Sequence, residues 1–393
     1  MPKIVLITAN VGSLFEPECK IHEQWTNTIV EAIEDKKAEF VVLHFQEAGG
    51  KRYTECSEQV PGLIKKLTER LPHLPFVRSY LDIEHEAVGF TALGVTIFAT
   101  QEVSQKLHLY NFQTNLFELQ ADKPKSLEIV RAGLEDYPYV RKEKFPKDFW
   151  PAIKWGRKGY ILTKVMIGDK IYNFNPELYS VNRRRALIYM FDKIYHINKT
   201  NDLPVFLFGD LNFRLDPRSF INKLTENAAR HNLEESEAAG SIADGLQKNN
   251  EKPANVSSPT EQLRRTVSAI EFRREPHSSH SCILRIEKKR FDYFNHKKLL
   301  NDWRTYLEDD KELQSFDELH ELPIDFPPTY PWSEDPEDSE VLMKTRAPAW
   351  CDRVIMNAPA FKIVEESTEK EYTSFGSDVC TGDHKPVLLS FEI

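Results

Sequence analysis

Two short stretches near the carboxyl end of the chain carry residues that could act on a phosphate. Residues 348–353 read Pro-Ala-Trp-Cys-Asp-Arg, and residues 381–386 read Thr-Gly-Asp-His-Lys-Pro. They place Asp352 and the neighbours Asp383 and His384 each beside an apolar, strand-like run. A histidine held by a carboxylate has a fixed tautomer, and its imidazolium can donate a hydrogen bond to a phosphate oxygen. The same residues would also suit two turns with a surface ion pair.

A third apolar run, residues 205–208, leads into a carboxylate and an amide. Asp210 and Asn212 follow it directly, and catalytic groups in open α/β sheets collect at this end of the strands. An aspartate can orient and deprotonate an attacking water, while an asparagine amide can donate to the charge that develops on phosphorus. Both residue types are also common in ordinary turns.

Two more apolar runs end in oxygen-bearing side chains. Residues 40–45 lead into Glu47, and residues 4–9 lead into Asn10. A carboxylate at the rim of a sheet is a ligand that magnesium uses, together with waters and substrate phosphate. The Asn10 amide could hydrogen-bond those waters or a phosphate oxygen. His44 lies inside its strand, and the alternation of strand side chains predicts a structural role for it.

These residues need a sheet that brings the ends of distant strands together. Nearly continuous apolar runs predict buried strands, and the spacing of apolar residues near 3.6 predicts helices. The predicted strands cover 3–9, 40–45, 91–100, 159–167, 170–175 and 205–208, and the predicted helices cover 21–34, 60–70 and 181–197. The pattern indicates an α/β sheet covered by helices.

Composition narrows the class of function. The formal net charge of −9 argues against broad binding of nucleic acid, whereas a few local basic clusters suit a small polyanion. Five cysteines without paired metal-ligand spacing predict a reduced, intracellular compartment. We expect no signal peptide and no transmembrane span, so any membrane contact would be peripheral. Residues 234–280, rich in polar residues, predict a flexible insertion.

Taken together, the motifs resemble the endonuclease/exonuclease/phosphatase superfamily and, within it, the inositol polyphosphate 5-phosphatases. The resemblance rests on Gly-Asp-Leu-Asn-Phe-Arg at 209–214 and on the two stretches near the carboxyl end, and it spans nearly the whole chain. Details at 8–15, 154–159 and 326–331 resemble the type I branch. The resemblance implies a DNase I-like, four-layered α/β sandwich, with two central sheets flanked by helices, forming one catalytic domain over residues 1–393.

The same resemblance implies a role for each matching residue. Glu47 would be the chief magnesium ligand, and Asp383 would be the second metal residue. Asp210 would orient and activate the attacking water. Asn212 would stabilise the transition state.

The resemblance also implies how the substrate is held. His384, oriented by Asp352, would hold the scissile phosphate, and Asn10 would complete the floor of the site. Bidentate or point-charge contacts to phosphate are expected from four basic residues. These are Arg157, Lys158, Arg353 and Lys385. Each of the four could instead be a solvated surface residue.

The implied reaction is removal of the 5-phosphate from soluble inositol 1,4,5-trisphosphate and 1,3,4,5-tetrakisphosphate, which ends calcium-mobilising signals. Relatives that act on lipids carry a lysine after the aromatic that corresponds to Tyr330, and here that place is taken by Pro331. Gly12 stands where much of the superfamily has a polar residue, which predicts no second metal ligand from that strand. We expect a cytoplasmic monomer, with peripheral association at the plasma membrane at most.

One family feature is missing. The family carries an Asn-x-His-Leu block whose histidine contacts the scissile phosphate, but residues 169–182 contain no histidine, and Glu177 stands at the nearest match. An anionic side chain there would repel a phosphate. A second interpretation therefore remains: a catalytically impaired protein that still binds inositol phosphates. A nuclease of the same superfamily is a more distant third, since the chain is acidic.

Overall fold

The computed structural model describes residues 2–15, 21–87, 89–120, 126–149, 158–175, 183–200, 202–234, 267–275 and 278–393. Backbone contacts group the chain into two compact units. The first comprises Met1–Asp216, Leu300–Met343 and Pro348–Ile393, and the second comprises Pro217–Leu299 and Lys344–Ala347. Every candidate site residue among the described residues belongs to the first unit.

The first unit contains two mixed β-sheets. In spatial order, the first sheet consists of β18 (Glu371–Ser374), β19 (Val387–Glu392), β1 (Lys3–Asn10), β2 (Phe40–Gln46), β4 (Gly94–Ala99), β3 (Phe76–Leu81) and β7 (Leu127–Val130). The second consists of β16 (Leu319–His320), β17 (Asp352–Asn357), β11 (Val205–Asp210), β10 (Lys170–Asn175), β9 (Gly159–Ile167), β5 (Leu107–Asn111) and β6 (Leu116–Leu119), with β8 (Arg141–Lys144) also on β9. Most predicted strands are confirmed to within a few residues.

The two sheets pack face to face through aromatic side chains. Phe206 stacks on Phe391 with ring centroids 5.4 Å apart, and Phe40 lies 6.1 Å from Phe174. Strands β2 and β11 are buried along their whole length and β1 is buried from Ile4 onward, so both faces of these strands are covered, as the continuous apolar runs predict.

Helices cover the outer faces of the sheets. The helices of the first unit are α1 (His22–Asp35), α2 (Tyr53–Cys56), α3 (Val60–Arg70), α4 (Gln101–Ser104), α5 (Arg183–Asn198) and α8 (Ala358–Glu366), whereas α6 (Pro217–Leu224) and most of α7 (His296–Asn301) belong to the second unit. Buried side chains of α1 and α3 join the core of the first sheet, and those of α5 join the core of the second. This arrangement is the four-layered α/β sandwich expected from the resemblance. No helix of the described ranges is long and apolar enough to cross a bilayer.

The second unit contains a separate antiparallel sheet of β12 (Ala229–Glu234), β13 (Val267–Arg273), β14 (Cys282–Glu287) and β15 (Arg290–Tyr293). Strand β13 lies within the stretch predicted to be a flexible insertion, so that prediction is wrong for residues 267–273. The alternation of Ala269 and Glu271 with less buried neighbours is typical of a half-buried strand. Residues 235–266 lie outside the described part of the chain.

Candidate active site

One edge of the two packed sheets collects the predicted site residues. Strands β1 and β2 are parallel and end together at Asn10 and Gln46, just before Glu47. On the second sheet, Asp210 at the end of β11 lies opposite Asp352 at the start of the antiparallel β17. His384 comes three residues before β19, which runs antiparallel to β1. The topology therefore brings together residues that are up to 374 positions apart in the chain.

His384 is held by a buried carboxylate. Its Nδ1 lies 2.8 Å from Oδ2 of Asp352, which has no exposed surface. Burial alone would lower the pKa of His384, but the charges of Asp352 and Asp210 and the hydrogen bond to Asp352 raise it to about 10. The imidazole is therefore protonated at neutral pH, and its Nε2–H is a hydrogen-bond donor. Asp352 orients His384 as the sequence predicts.

Asp210 lies beside this pair and is 2 % exposed. Its Oδ1 accepts from the backbone amide of Asn212 at 3.1 Å and from the Asn212 side-chain amide at 2.7 Å. Its Oδ2 accepts from Nδ2 of Asn10 at 3.2 Å and lies 4.0 Å from Nε2 of His384. Burial raises the pKa of Asp210, against the opposing charge of His384, and a raised pKa favours acceptance of a proton.

The Asn212 side chain depends on an uncommon backbone conformation. Its φ of 52° lies in the left-handed region, which asparagine adopts more readily than most residues. In this conformation the side chain turns back toward Asp210, and the guanidinium of Arg214 donates to the Asn212 Oδ1. The amide orientation is thereby fixed, with the NH₂ group directed to Asp210.

Glu47 and Asn10 offer oxygen atoms on either side of Gly12. A Cβ built on Gly12 would lie 2.7 Å from Oε2 of Glu47 and 3.2 Å from Oδ1 of Asn10. Gly12 therefore leaves the space in which the Glu47 carboxylate lies, and a side chain there would displace it. The Glu47 carboxylate is the type of oxygen ligand that a hard divalent cation takes, whereas the Asn10 Oδ1 accepts from the Gly12 amide at 3.0 Å. Glu47 itself has a φ of 54°, which turns its side chain at the strand end.

With this geometry in view, comparisons with known proteins identify the family. The chain is 52% identical over its full length to a "Probable type I inositol 1,4,5-trisphosphate 5-phosphatase" of Caenorhabditis elegans, with the whole of that protein covered. It is 33% identical to "Inositol polyphosphate-5-phosphatase A" of Homo sapiens over 99% of this chain and 93% of that protein. The chain belongs to the type I inositol polyphosphate 5-phosphatases. These are phosphatases, and therefore hydrolases.

Two further comparisons concern the superfamily. Residues 285–390 match the model of "Endonuclease/Exonuclease/phosphatase family 2". Among solved structures, the inositol polyphosphate 5-phosphatase domain of SpSynaptojanin, in complex with inositol (1,4)-bisphosphate and calcium ion, has a TM-score of 0.47 at 15% identity. That match covers 99% of this chain and 83% of that chain.

For this 5-phosphatase, the structure corrects two of the predicted phosphate contacts. Arg353 is 2 % exposed, and its guanidinium donates to Asp310 at 2.6 Å and to Glu321 at 2.7 Å. It directly follows Asp352, and successive strand side chains point to opposite faces of a sheet. Lys385 is also buried, and its Nζ donates to the backbone carbonyls of Gly376 and Val379. Both cations serve the fold rather than the substrate.

The other predicted contacts to phosphate and metal remain predictions. Lys158 is partly exposed just before β9, and Arg157 lies outside the described residues. Asp383 is adjacent to His384, and its charge adds to those that raise the His384 pKa. The role of Asp383 as a metal residue stays a prediction.

Two residues of the site were not predicted. The hydroxyl of Thr329 accepts from the backbone amides of Cys351 and Asp352 at 3.0 and 3.1 Å, and its carbonyl accepts from the Lys385 amide at 2.9 Å. Thr329 thus ties the segment of Asp352 to that of His384. Arg214, which orients Asn212, is the second residue that was not predicted. Both belong to recognised motifs, so the sequence signals their importance, but only the fold reveals which groups they touch.

Proposed function

We propose that this chain is a magnesium-dependent phosphomonoesterase that removes the 5-phosphate of soluble inositol polyphosphates. The proposed substrates are inositol 1,4,5-trisphosphate and inositol 1,3,4,5-tetrakisphosphate, whose hydrolysis ends calcium-mobilising signals. The observation that carries the proposal is the buried group of Asp210, Asp352 and His384. One carboxylate oxygen of each aspartate and one ring nitrogen of the histidine all lie within 4.8 Å of one another. The names of the C. elegans and human relatives support the substrate class.

In the proposed reaction Asp210, His384 and Asn212 each take one step, and Asp352 keeps His384 oriented. Asp210 accepts a proton from the water whose oxygen attacks the phosphorus. The protonated His384 donates from Nε2 to a phosphate oxygen, and the Asn212 amide donates to the charge that develops in the transition state. The bond between phosphorus and the 5-oxygen breaks, and the 5-oxygen takes up the proton that Asp210 accepted, passed on through water. Inorganic phosphate leaves and the ring keeps a hydroxyl.

A divalent cation completes this chemistry. Glu47 would hold it, with Asp383 as a further candidate ligand and the Asn10 amide on the metal-bound waters or a phosphate oxygen. When bound, magnesium would neutralise charge on the substrate phosphate and on the leaving oxygen. The oxygen-only donor set favours magnesium over softer metals.

Substrate choice follows from the same region. Tyr330 lies with its ring 4.7 Å from that of His384, and Pro331 follows it in place of the lysine of lipid-acting relatives. We therefore propose soluble head groups in the cytoplasm as substrates, with contact to the plasma membrane peripheral at most. We propose that the enzyme acts as a monomer.

A specific observation keeps a second candidate, a catalytically impaired inositol-phosphate-binding protein. Strand β10 is parallel to β11 and ends with Asn175 opposite Leu207, three residues before Asp210. Residues 176–182 lie outside the described part of the chain. The family's Asn-x-His-Leu block belongs at this place. The alignment with the C. elegans relative runs over 413 positions, whereas this chain has 393 residues. The alignment therefore contains gaps in the sequence of this chain, as a missing block would require.

The test is phosphate release from inositol 1,4,5-trisphosphate with magnesium, with excess chelator, and on vesicles that contain the corresponding lipid. We expect release with magnesium, none with chelator, and slower release from the lipid. Activity in chelator would contradict the metal assignment. Faster turnover of the lipid would contradict the proposed substrate class.

A further inference from the structure

Three side chains form a charged cluster beside the candidate active site, here called the rim cluster: Ser13, Lys51 and Glu334. The hydroxyl of the buried Ser13 donates to Oε1 of Glu334. Lys51 Nζ donates to both oxygens of the same carboxylate, at 2.9 and 3.2 Å. The Lys51 side chain is 57% exposed and that of Glu334 is 34% exposed, so a ligand can reach both.

The rim cluster stands on the same loops as the reacting groups. Ser13 follows Gly12, whose missing side chain makes room for Glu47. Lys51 comes four residues after Glu47. On the opposite side, a Cβ built on Gly382, two residues before His384, would lie 3.3 Å from the Ser13 hydroxyl oxygen. The cluster is therefore directly adjacent to the loops that carry Glu47 and His384.

A carboxylate at this position is unusual for a site that takes polyanions, because like charges repel. Glu334 is nevertheless held as an anion. Burial would raise its pKa, but the hydrogen bonds from Ser13 and Lys51 and the nearby charge of His384 lower it. A hydroxyl donor together with an ammonium donor is also the set of contacts that a phosphate group takes.

We propose that Ser13 and Lys51 form a subsite for a second ring phosphate, one that is not cleaved, and that Glu334 fills this subsite in the free enzyme. The inference rests on the proposed function, since it names how that function's substrate is read. A ring phosphate gains the Ser13 and Lys51 contacts only by displacing the Glu334 carboxylate. A ligand whose single phosphate lies at the reaction centre gains nothing there. The rim cluster thus favours inositols with several phosphates.

Lys51→Gln and Glu334→Gln test the two halves of the proposal. Lys51→Gln should raise the KM for inositol 1,4,5-trisphosphate about tenfold, since one charge-assisted contact is lost, and should change the KM for inositol 5-monophosphate less than twofold. Glu334→Gln should lower the trisphosphate KM several-fold, because the competing anion is gone. In the double variant the Glu334→Gln gain should vanish, since the two residues act through one contact.

A matched control is the surface pair Lys66 and Glu23, which have a 2.5 Å contact on helices α3 and α1. Lys66→Gln and Glu23→Gln change the net charge equally and should leave both KM values unchanged at the same ionic strength. Equal effects of Lys51→Gln on both substrates, an unchanged KM for Glu334→Gln, or equal effects of the control pair would overturn the proposal. A Lys51 effect confined to lipid vesicles would also overturn it.

The outcome does not depend on turnover alone. Calorimetric affinity for the trisphosphate in calcium-free and magnesium-free buffer should fall about tenfold in Lys51→Gln, by the same loss of one contact. If no version of the chain releases phosphate, the proposed function fails. A Lys51-dependent affinity would then still support the subsite, and a Lys51-independent affinity would overturn it.

Discussion

Two neighbouring residues of β17, Asp352 and Arg353, belong to two charge networks on opposite faces of one strand. Each network surrounds one cation with two carboxylates. On one face, His384 lies between Asp352 and Asp210, and on the other, Arg353 is held by Asp310 and Glu321. The side chains of all four carboxylates are at most 7% exposed, so burial and charge alone do not distinguish the site from the scaffold.

The two networks differ in the distances between the cation and its carboxylates. Arg353 donates to both of its carboxylates within 2.7 Å, and Glu321 also accepts from the hydroxyl of Tyr372. In the other network, Nε2 of His384 stays 4.0 Å from Asp210. Oδ1 of Asp352 has no hydrogen-bond partner among the described residues. A network whose donors and acceptors are all paired stabilises a fold. In the His384 network, by contrast, Nε2–H is not hydrogen-bonded to Asp210 and can donate to a substrate oxygen.

Asp352→Asn is the substitution for which we expect the largest effect. The asparagine keeps the shape but removes the charge that raises the His384 pKa and fixes its tautomer. We expect turnover to fall about 10³-fold, within the range for acid–base and tautomer effects. The melting temperature should change by only a few degrees. Turnover and thermal unfolding measured on the same preparation check this, and a collapse of stability with normal turnover would reverse the assignment.

Arg353→Met is the complementary change. Removing the cation leaves two carboxylates without their buried partner, which typically costs about 3–5 kcal/mol in the free energy of unfolding. Turnover per folded molecule at low temperature should stay near normal, since Arg353 does not face the site. Adding Asp310→Asn and Glu321→Gln should recover part of the stability, as urea unfolding would measure. A large rise in KM without loss of stability would restore Arg353 as a phosphate contact.

Restoring the family's Asn-x-His-Leu block after β10 addresses a contact that this chain lacks. One preorganised donor is worth about 10²–10³ in turnover, so the restored version should hydrolyse inositol trisphosphate at least about a hundredfold faster at similar affinity. Turnover and calorimetric affinity for both versions in one buffer decide the matter. Equal turnover would mean that Asn175 or another donor already fills the role.

The smallest effect concerns His44, a buried histidine outside both networks. Its Nδ1 donates to the Phe208 carbonyl at 3.0 Å and its ring stacks on Phe208, as the structural role predicts. Burial lowers its pKa to about 3, below the usual value near 6.5 in an unfolded chain. As pH falls through 6.5, only the unfolded state gains this proton, so stability declines.

Between pH 7 and pH 5 the protonation of His44 in the unfolded state should lower the free energy of unfolding by about 2 kcal/mol, since pH 5 lies about 1.5 units below the unfolded pKa. His44→Gln should remove that part of the pH dependence, as chemical denaturation at several pH values would measure. An unchanged pH dependence in the variant would contradict a neutral, buried His44.

The sequence predicted the elements and pointed to the candidate reacting residues because both leave local marks. Continuous apolar runs identify strands such as β1 and β11, and motif residues such as Asp210 and His384 follow or precede them directly. It failed for Arg353 and Lys385, whose roles depend on partners from distant loops. The contact of Ser13 with Glu334, 321 positions apart, leaves no local mark at all. Long-range pairing of loops is thus the part that required the structure.

The central claim, that the Asp210 network performs hydrolysis rather than binding alone, is tested most directly by comparing the chain with Asp210→Asn. The two proteins are measured for magnesium-dependent phosphate release and for affinity toward inositol 1,4,5-trisphosphate. We predict that both bind the trisphosphate with similar affinity and that only the unaltered chain releases phosphate well above background. Release that is no faster than that of Asp210→Asn, with binding retained, would contradict the claim and identify a binding protein.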